Sequence, residues 1–302
     1  MRLVLHIGAH GTDGGQIAGW IDRNRGALEA DGIVAPAPRL FLGRLSEVLD
    51  QQRDADPLAR EEALLRGLGA SGQRRHMCVS TPGLLGSVSD VLSDEGFYRR
   101  GVVPRLQGLS ALFPRTRLRL LLSLRAARGL IPALLPDEPG AAEAILPLIP
   151  DDTLPWSRLV GSLRRHLPRA ELVVWRHEDL PTVWPQVLSE ILGPNAALPP
   201  QGLLDFAQAG LGHEARLRMR RYLAEASAPP ANAGQLRRIA EAFAHRYGTV
   251  ATPEPVTRLP GWIRSRLEDL DAGYDTEWAD LAAQQGVRVL LPPGTNSGAS
   301  RS

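Results

Sequence analysis

The segment His6 to Gln16, HIGAHGTDGGQ, carries four glycines and continues a short apolar run, Leu3 to Ile7. A glycine turn between a buried strand and a helix presents backbone N–H groups and a helix N-terminus to an anion, which suits a phosphate. The candidate anion-binding residues are therefore Gly8, Ala9, His10, Gly11, Thr12, Gly14, Gly15 and Gln16. His6 and His10 are the candidates for proton transfer, because imidazole titrates near neutrality. A histidine at a strand end is more often held by a neighbouring loop, so His10 is the catalytic candidate and His6 the structural one.

Other side chains narrow the chemistry by exclusion. All 35 basic residues are arginine, and arginine keeps its proton near neutral pH, so lysine general-base and Schiff-base chemistry are excluded. Cys78 is the single cysteine, which rules out an internal disulfide and a Cys-rich zinc site. It reads as a small buried hydrophobe. The seven histidines are scattered, and His6 and His10 have an i, i+4 spacing only by count, across a strand end and a turn, so no metal site is expected. The tryptophans Trp20, Trp156, Trp175, Trp184, Trp262 and Trp278 fall mostly on apolar faces and read as core.

The elements that must position the turn follow from hydrophobic periodicity. Short strands are expected at Leu3–Ile7, Met77–Ser80, Arg117–Leu124 and Glu171–Trp175, with a last apolar segment at Val287–Leu291. Helices are expected at Gln16–Ala30, Pro57–Leu68, Val103–Leu112, Trp156–His166, Val183–Leu192 and Trp262–Gln285. Short strands separated by helical stretches imply parallel pairing and crossovers, hence an α/β fold with a central parallel sheet flanked by helices. From about 198 to 286 the chain reads as helical and arginine-rich, interrupted by Pro-Pro pairs at 199–200 and 229–230. One domain over 1–293 and a small, polar, disordered tail at 294–302 complete the expected organisation. The formal charge is +2, so nothing demands a polyanionic partner. The apolar stretch Leu118 to Leu135 is broken by Arg119, Arg125 and Arg128, and no membrane span is expected. With too short an N-terminal apolar run for a signal peptide, a cytoplasmic protein is the default.

LVLHIGAHGTDGGQI resembles the start of bacterial sulfotransferase-like proteins, in which a strand ending in HIG is followed by H-K-T-G-T-T and a helix. The resemblance continues in order through NRGALEADGIVAP, VSTPGLLG, LFPRTRLRLLLSLR, ELVVWRHEDL and DAGYDTEWADLAAQQGVRVLLP, covering most of the chain diffusely. It implies a three-layer P-loop NTPase-like fold of the sulfotransferase type. It also implies 3′-phosphoadenosine 5′-phosphosulfate (PAPS) as sulfuryl donor, its product PAP as a ligand, and a hydroxyl or amine acceptor. Arg125 would hold the donor's 3′-phosphate, and Arg128, one helical turn on, would supply a second cation. Sulfuryl transfer is an in-line displacement, catalysed by positioning and by cations on the bridging and terminal oxygens.

Three departures weaken that implication. Gly11 stands where the loop lysine belongs, and Asp13-Gly14-Gly15 replaces Gly-Thr-Thr, so a carboxylate faces a site meant for an anion. A like charge about 4 Å from a phosphate costs about 1 to 4 kcal/mol, depending on the dielectric. Pro82 replaces a carboxylate general base, while Asp94 and Glu95 are expected to cap a helix after Ser93. The serine expected eight residues after Arg125 is Ala133, preceded by the helix-breaking Pro132. The expectation is a pseudoenzyme with sulfuryl transfer weakened or lost. The alternatives are an active enzyme using arginine for the lysine, and a non-catalytic nucleotide-binding or protein-interaction scaffold with a protein partner. Nucleic-acid binding through HEARLRMRRYL is set aside, because its arginines occupy several helical faces among glutamates.

Overall fold

The computed structural model describes residues 1–51, 55–70, 76–135, 146–150, 154–193, 201–228, 230–248 and 261–292. The expected tail at 294–302, Pro199, Pro200, Pro229 and the side chain of Trp262 lie outside the described residues.

The strands are β1 (Arg2–His6), β2 (Ile33–Val34), β3 (His76–Ser80), β4 (Arg117–Leu124), β5 (Glu171–Arg176) and β6 (Val287–Val289). They form one sheet in the order β2-β3-β1-β4-β5-β6, and every pair is parallel. Such a sheet must be covered on both faces. One face, carrying Leu3 and Leu5, packs on α3 (Pro38–Gln51), α4 (Pro57–Gly67), α5 (Val102–Leu112), α6 (Ala127–Leu134), α7 (Trp156–His166), α12 (Gly261–Ala272) and α13 (Tyr274–Ala283). The other, carrying Val4, packs on α1 (Gln16–Arg23), α2 (Arg25–Ala30), α8 (Leu180–Leu192), α9 (Asp205–Ala209), α10 (His213–Glu225) and α11 (Ala233–Tyr247). The result is a three-layer α/β architecture. Trp20, Trp156, Trp175, Trp184 and Trp278 are all buried.

Several elements differ from expectation for local reasons. The helix expected at Gln16–Ala30 breaks at Asn24, whose amide donates to the Trp20 carbonyl (2.9 Å) and to the Gln201 carbonyl (3.1 Å). The expected Trp262–Gln285 helix is two, α12 and α13, separated by Gly273. Pro132 lies inside α6 rather than ending it, at the loss of one bond to the carbonyl four residues back. No helix follows Ser93: Asp94 and Glu95 instead pair with Arg100. The strand β2 and the helices α3 and α6 are additions to the elements expected from periodicity.

Burial pushes the Cys78 thiol up to about 12, so almost none is thiolate, the reactive form. Maleimide labelling of the native protein at pH 8 is expected to be negligible, with one thiol per chain appearing on denaturation. Fast native labelling would mean that β3 opens readily.

Candidate functional site

The chain leaves β1 to build β2 and β3 on one side, then crosses to β4 on the other. The ends of β1 and β4 therefore flank a topological switch point, where ligands of open α/β sheets settle. The glycine loop occupies this place. Its exit from β1 is locked to β4, with Ile7 N–H donating to the Leu121 carbonyl (2.9 Å), Ala9 N–H to the Ser123 carbonyl (3.0 Å) and Ser123 N–H to the Gly8 carbonyl (2.6 Å).

The helix N-terminus facing this loop is already capped. Asp13, 5% exposed, accepts from Ile17 N–H at 2.7 Å, which sets a carboxylate from the preceding loop against the N-terminus of α1. Thr12 donates its hydroxyl to the Ala9 carbonyl at 2.6 Å, inside the loop. The positive end of the dipole and one of its free donors thus serve a side chain of the protein.

Gly11 has φ +66° and sits against α6; a Cβ added there would lie 3.0 Å from the Ala133 Cβ. A lysine at this position would combine left-handed backbone strain with a clash. Gly8, at φ +101°, is similarly confined: a Cβ added to it would lie 3.3 Å from the Pro82 Cβ, so Pro82 walls the loop. Pro82 and Ala133, the two positions outside the loop at which the chain departs from the pattern it resembles, thus lie against the loop.

His10 is buried, and both ring nitrogens are engaged. Nε2 lies 3.1 Å from the Gly86 carbonyl, and so carries the proton and donates it. Nδ1 lies 3.0 Å from the Tyr98 hydroxyl, which donates to it while accepting from His10 N–H at 3.0 Å. Burial lowers the His10 pKa, against the opposing influence of the Gly86 bond and of Asp90. Tyr98, whose phenol burial raises, adopts φ +47° and packs with Phe97 and Trp156. Sequence reasoning missed Tyr98, and no local pattern marks it.

Arg125, 9% exposed, donates to the Gly11 carbonyl, which ties the end of β4 to the loop apex. Arg128 pairs with Asp271 (3.3 Å). The N-terminus of α6 is itself capped by carboxylates: Ala126 N–H donates to Glu178 at 2.9 Å and Ala127 N–H to Asp271 at 2.5 Å. Arg176 pairs with Asp275 at 2.8 Å and lies over the Tyr274 ring. The two expected cations, Arg125 at the end of β4 and Arg128 in α6, are thus already engaged by a loop carbonyl and by Asp271.

A row of polar side chains lies beneath α1. His6 faces Ser80 in register, with Nδ1 2.8 Å from the Ser80 hydroxyl, and stacks on Trp175 at 5.9 Å. Ser123 pairs in register with Trp175. Burial lowers the His6 pKa despite the nearby Asp13 charge. His177 is pushed down to about 4 by burial and then by Arg125, again against Asp13. Among the described residues the buried atoms His6 Nε2, Thr81 Oγ1, Ser123 Oγ, Trp175 Nε1 and His177 Nδ1 find no hydrogen-bond partner. Buried polar atoms are normally satisfied, so these five atoms at one end of the sheet are donors and acceptors that the site leaves unused. Sequence reasoning missed His177; its only signal is that it follows a strand end, as His6 closes one.

Among the described residues no group of three or more His, Cys, Asp or Glu could hold a metal ion, and no helix is long and apolar enough to cross a membrane. Comparison with protein-family models, curated proteins and solved structures returns no match, so what this site does must be argued from its geometry.

Proposed function

We propose that this chain is a divergent sulfotransferase-like protein of the P-loop type, in which sulfuryl transfer from PAPS is lost and the fold serves binding. The parallel order β2-β3-β1-β4-β5-β6, with a glycine loop at the switch point, supports the fold type. The observation that carries the functional reading is the Asp13 carboxylate bonded to Ile17 N–H at 2.7 Å. It stands where a donor phosphate would meet the helix, and it repels one. Arg125 holding the Gly11 carbonyl argues against an arginine taking over the role of the missing lysine. His10, with both ring nitrogens bonded, would have to break a contact to move a proton.

Calorimetric titration with PAP tests this. The wild-type protein is expected to show no heat at millimolar ligand and no transfer from PAPS to acceptors. Asp13→Asn keeps an acceptor for Ile17 N–H and removes the charge, so it is expected to gain measurable PAP affinity, about fivefold or more for the roughly 1 to 4 kcal/mol of repulsion removed. Gly11→Lys is expected to lower stability without restoring transfer. Micromolar binding by the wild type, abolished in Arg125→Ala and accompanied by transfer, would overturn the proposal in favour of an active enzyme. The unpartnered buried atoms favour one further version, non-catalytic nucleotide binding, which would appear as micromolar PAP binding without transfer, weakened in Ser123→Ala or His177→Ala.

A further inference from the structure

The helices α10 and α11 belong to the layer on the Val4 face of the sheet, with α11 packed on α8. Leu236 and Ala240 of α11 and Ala215 and Met219 of α10 are buried against the core. Residues of the two helices and of the segment between them line an open groove of about 690 Å³. Tyr222, Leu223, Ile239 and Phe243 form its apolar floor, and among the described lining residues only Arg238 and Arg246 are charged. Tyr222 is 51% exposed, a large apolar surface for a helix pair to present to solvent.

We propose that this groove docks an acidic amphipathic helix of a protein partner. The charge pattern selects the acid. Neither Arg238 nor Arg246 has a carboxylate partner among the described residues, and no acidic side chain is among the described residues that line the groove beside them. Arg246 lies over the Tyr247 ring, at 5.7 Å.

The spacing selects the helix. Arg238 and Arg246 are eight residues apart on one helix, about 12 Å along its axis at 1.5 Å per residue. A ligand with one charged head would answer only one of them. An incoming helix with acidic residues two turns apart answers both, while its leucines lie on the floor between them. Tyr222 packs on Phe243 (5.8 Å) and Phe243 on Tyr247 (5.7 Å), so the rings form a continuous apolar surface on which leucines can lie.

The test uses the full-length protein and a fluorescein-labelled synthetic helix bearing leucines on one face and glutamates two turns apart. Its twin carries lysine in place of the glutamates. Anisotropy titration is expected to show binding in the micromolar range for the glutamate peptide, weakened about tenfold or more by Arg238→Glu with Arg246→Glu, or by high salt. The reversed-charge variant should instead prefer the lysine peptide. Both arginines are exposed, so the variant should fold, and a circular dichroism melt checks this. Equal affinity for the two peptides, or no binding at millimolar concentration, overturns the proposal. So does tighter binding to anionic vesicles or a single-stranded oligonucleotide than to the glutamate peptide, or a wild-type dimer in sedimentation that Arg238→Glu dissociates. None of these outcomes depends on whether PAP binds.

Discussion

Acidification from pH 7 to pH 5 is expected to lower the unfolding free energy by about 2 kcal/mol through His177 alone. An unfolded histidine takes its proton near pH 6.5, whereas folded His177 resists until about pH 4. Between those values the unfolded chain binds the extra proton. The stability from this residue is therefore complete above pH 6.5 and is lost as the pH falls toward 4. Burial lowers His6, His10 and His76 as well, so each adds to the loss in the same direction. Asp179 and Asp271, whose carboxyls burial raises, act in the opposite sense and soften the decline at its acid end. Urea denaturation at half-unit steps of pH measures the slope, and His177→Gln should flatten it. A midpoint that does not change between pH 7 and 5 would mean that these histidines reach solvent.

The largest loss of stability from a single substitution is expected for Trp184→Ala. The side chain is fully buried, meets Trp20 edge-on at 5.8 Å and Phe206 at 4.3 Å, and donates from Nε1 to the Leu203 carbonyl at 2.8 Å. Truncating a buried aromatic costs about 3 to 5 kcal/mol. The stranded Leu203 carbonyl adds about 1 to 3 kcal/mol. Their sum is comparable to the whole stability of many domains, about 5 to 15 kcal/mol. Trp184→Phe should keep most of the packing and lose mainly the bond to Leu203. If the two variants melt alike, the hydrogen bond rather than the ring pins α8 to the segment before α9.

Much of this fold is legible in the sequence, because β1, β3, β4 and β5 are apolar runs buried on both faces and bounded by clear breaks. The strand β2 has two residues, too few for any periodicity. The break at Asn24 depends on Gln201, far along the chain, and a local pattern cannot report such a partner. In the glycine loop the sequence discloses a misplaced acid at 13, but the cap it makes on Ile17 depends on the path of the loop, although an Asp just ahead of a helix is a capping signal. His10 shows the opposite limit. Its residue type and position suit proton transfer, and only the contacts with Gly86 and Tyr98, which arrive from a distant loop, reveal how it is held.

The sheet order also governs how the chain can assemble as it is made. Strand β1 is central, yet its two neighbours, β3 and β4, begin at His76 and Arg117. At the ordinary pace of translation, about 5 to 20 residues per second, β1 waits roughly 6 to 24 seconds before β4 is complete. During that interval Leu3, Val4 and Leu5, all fully buried in the finished protein, have no second strand to cover them. Nascent chains should therefore engage holdase chaperones from the earliest segment, and ribosome-stalled chains ending before β4 should be far more protease-sensitive than those ending after it.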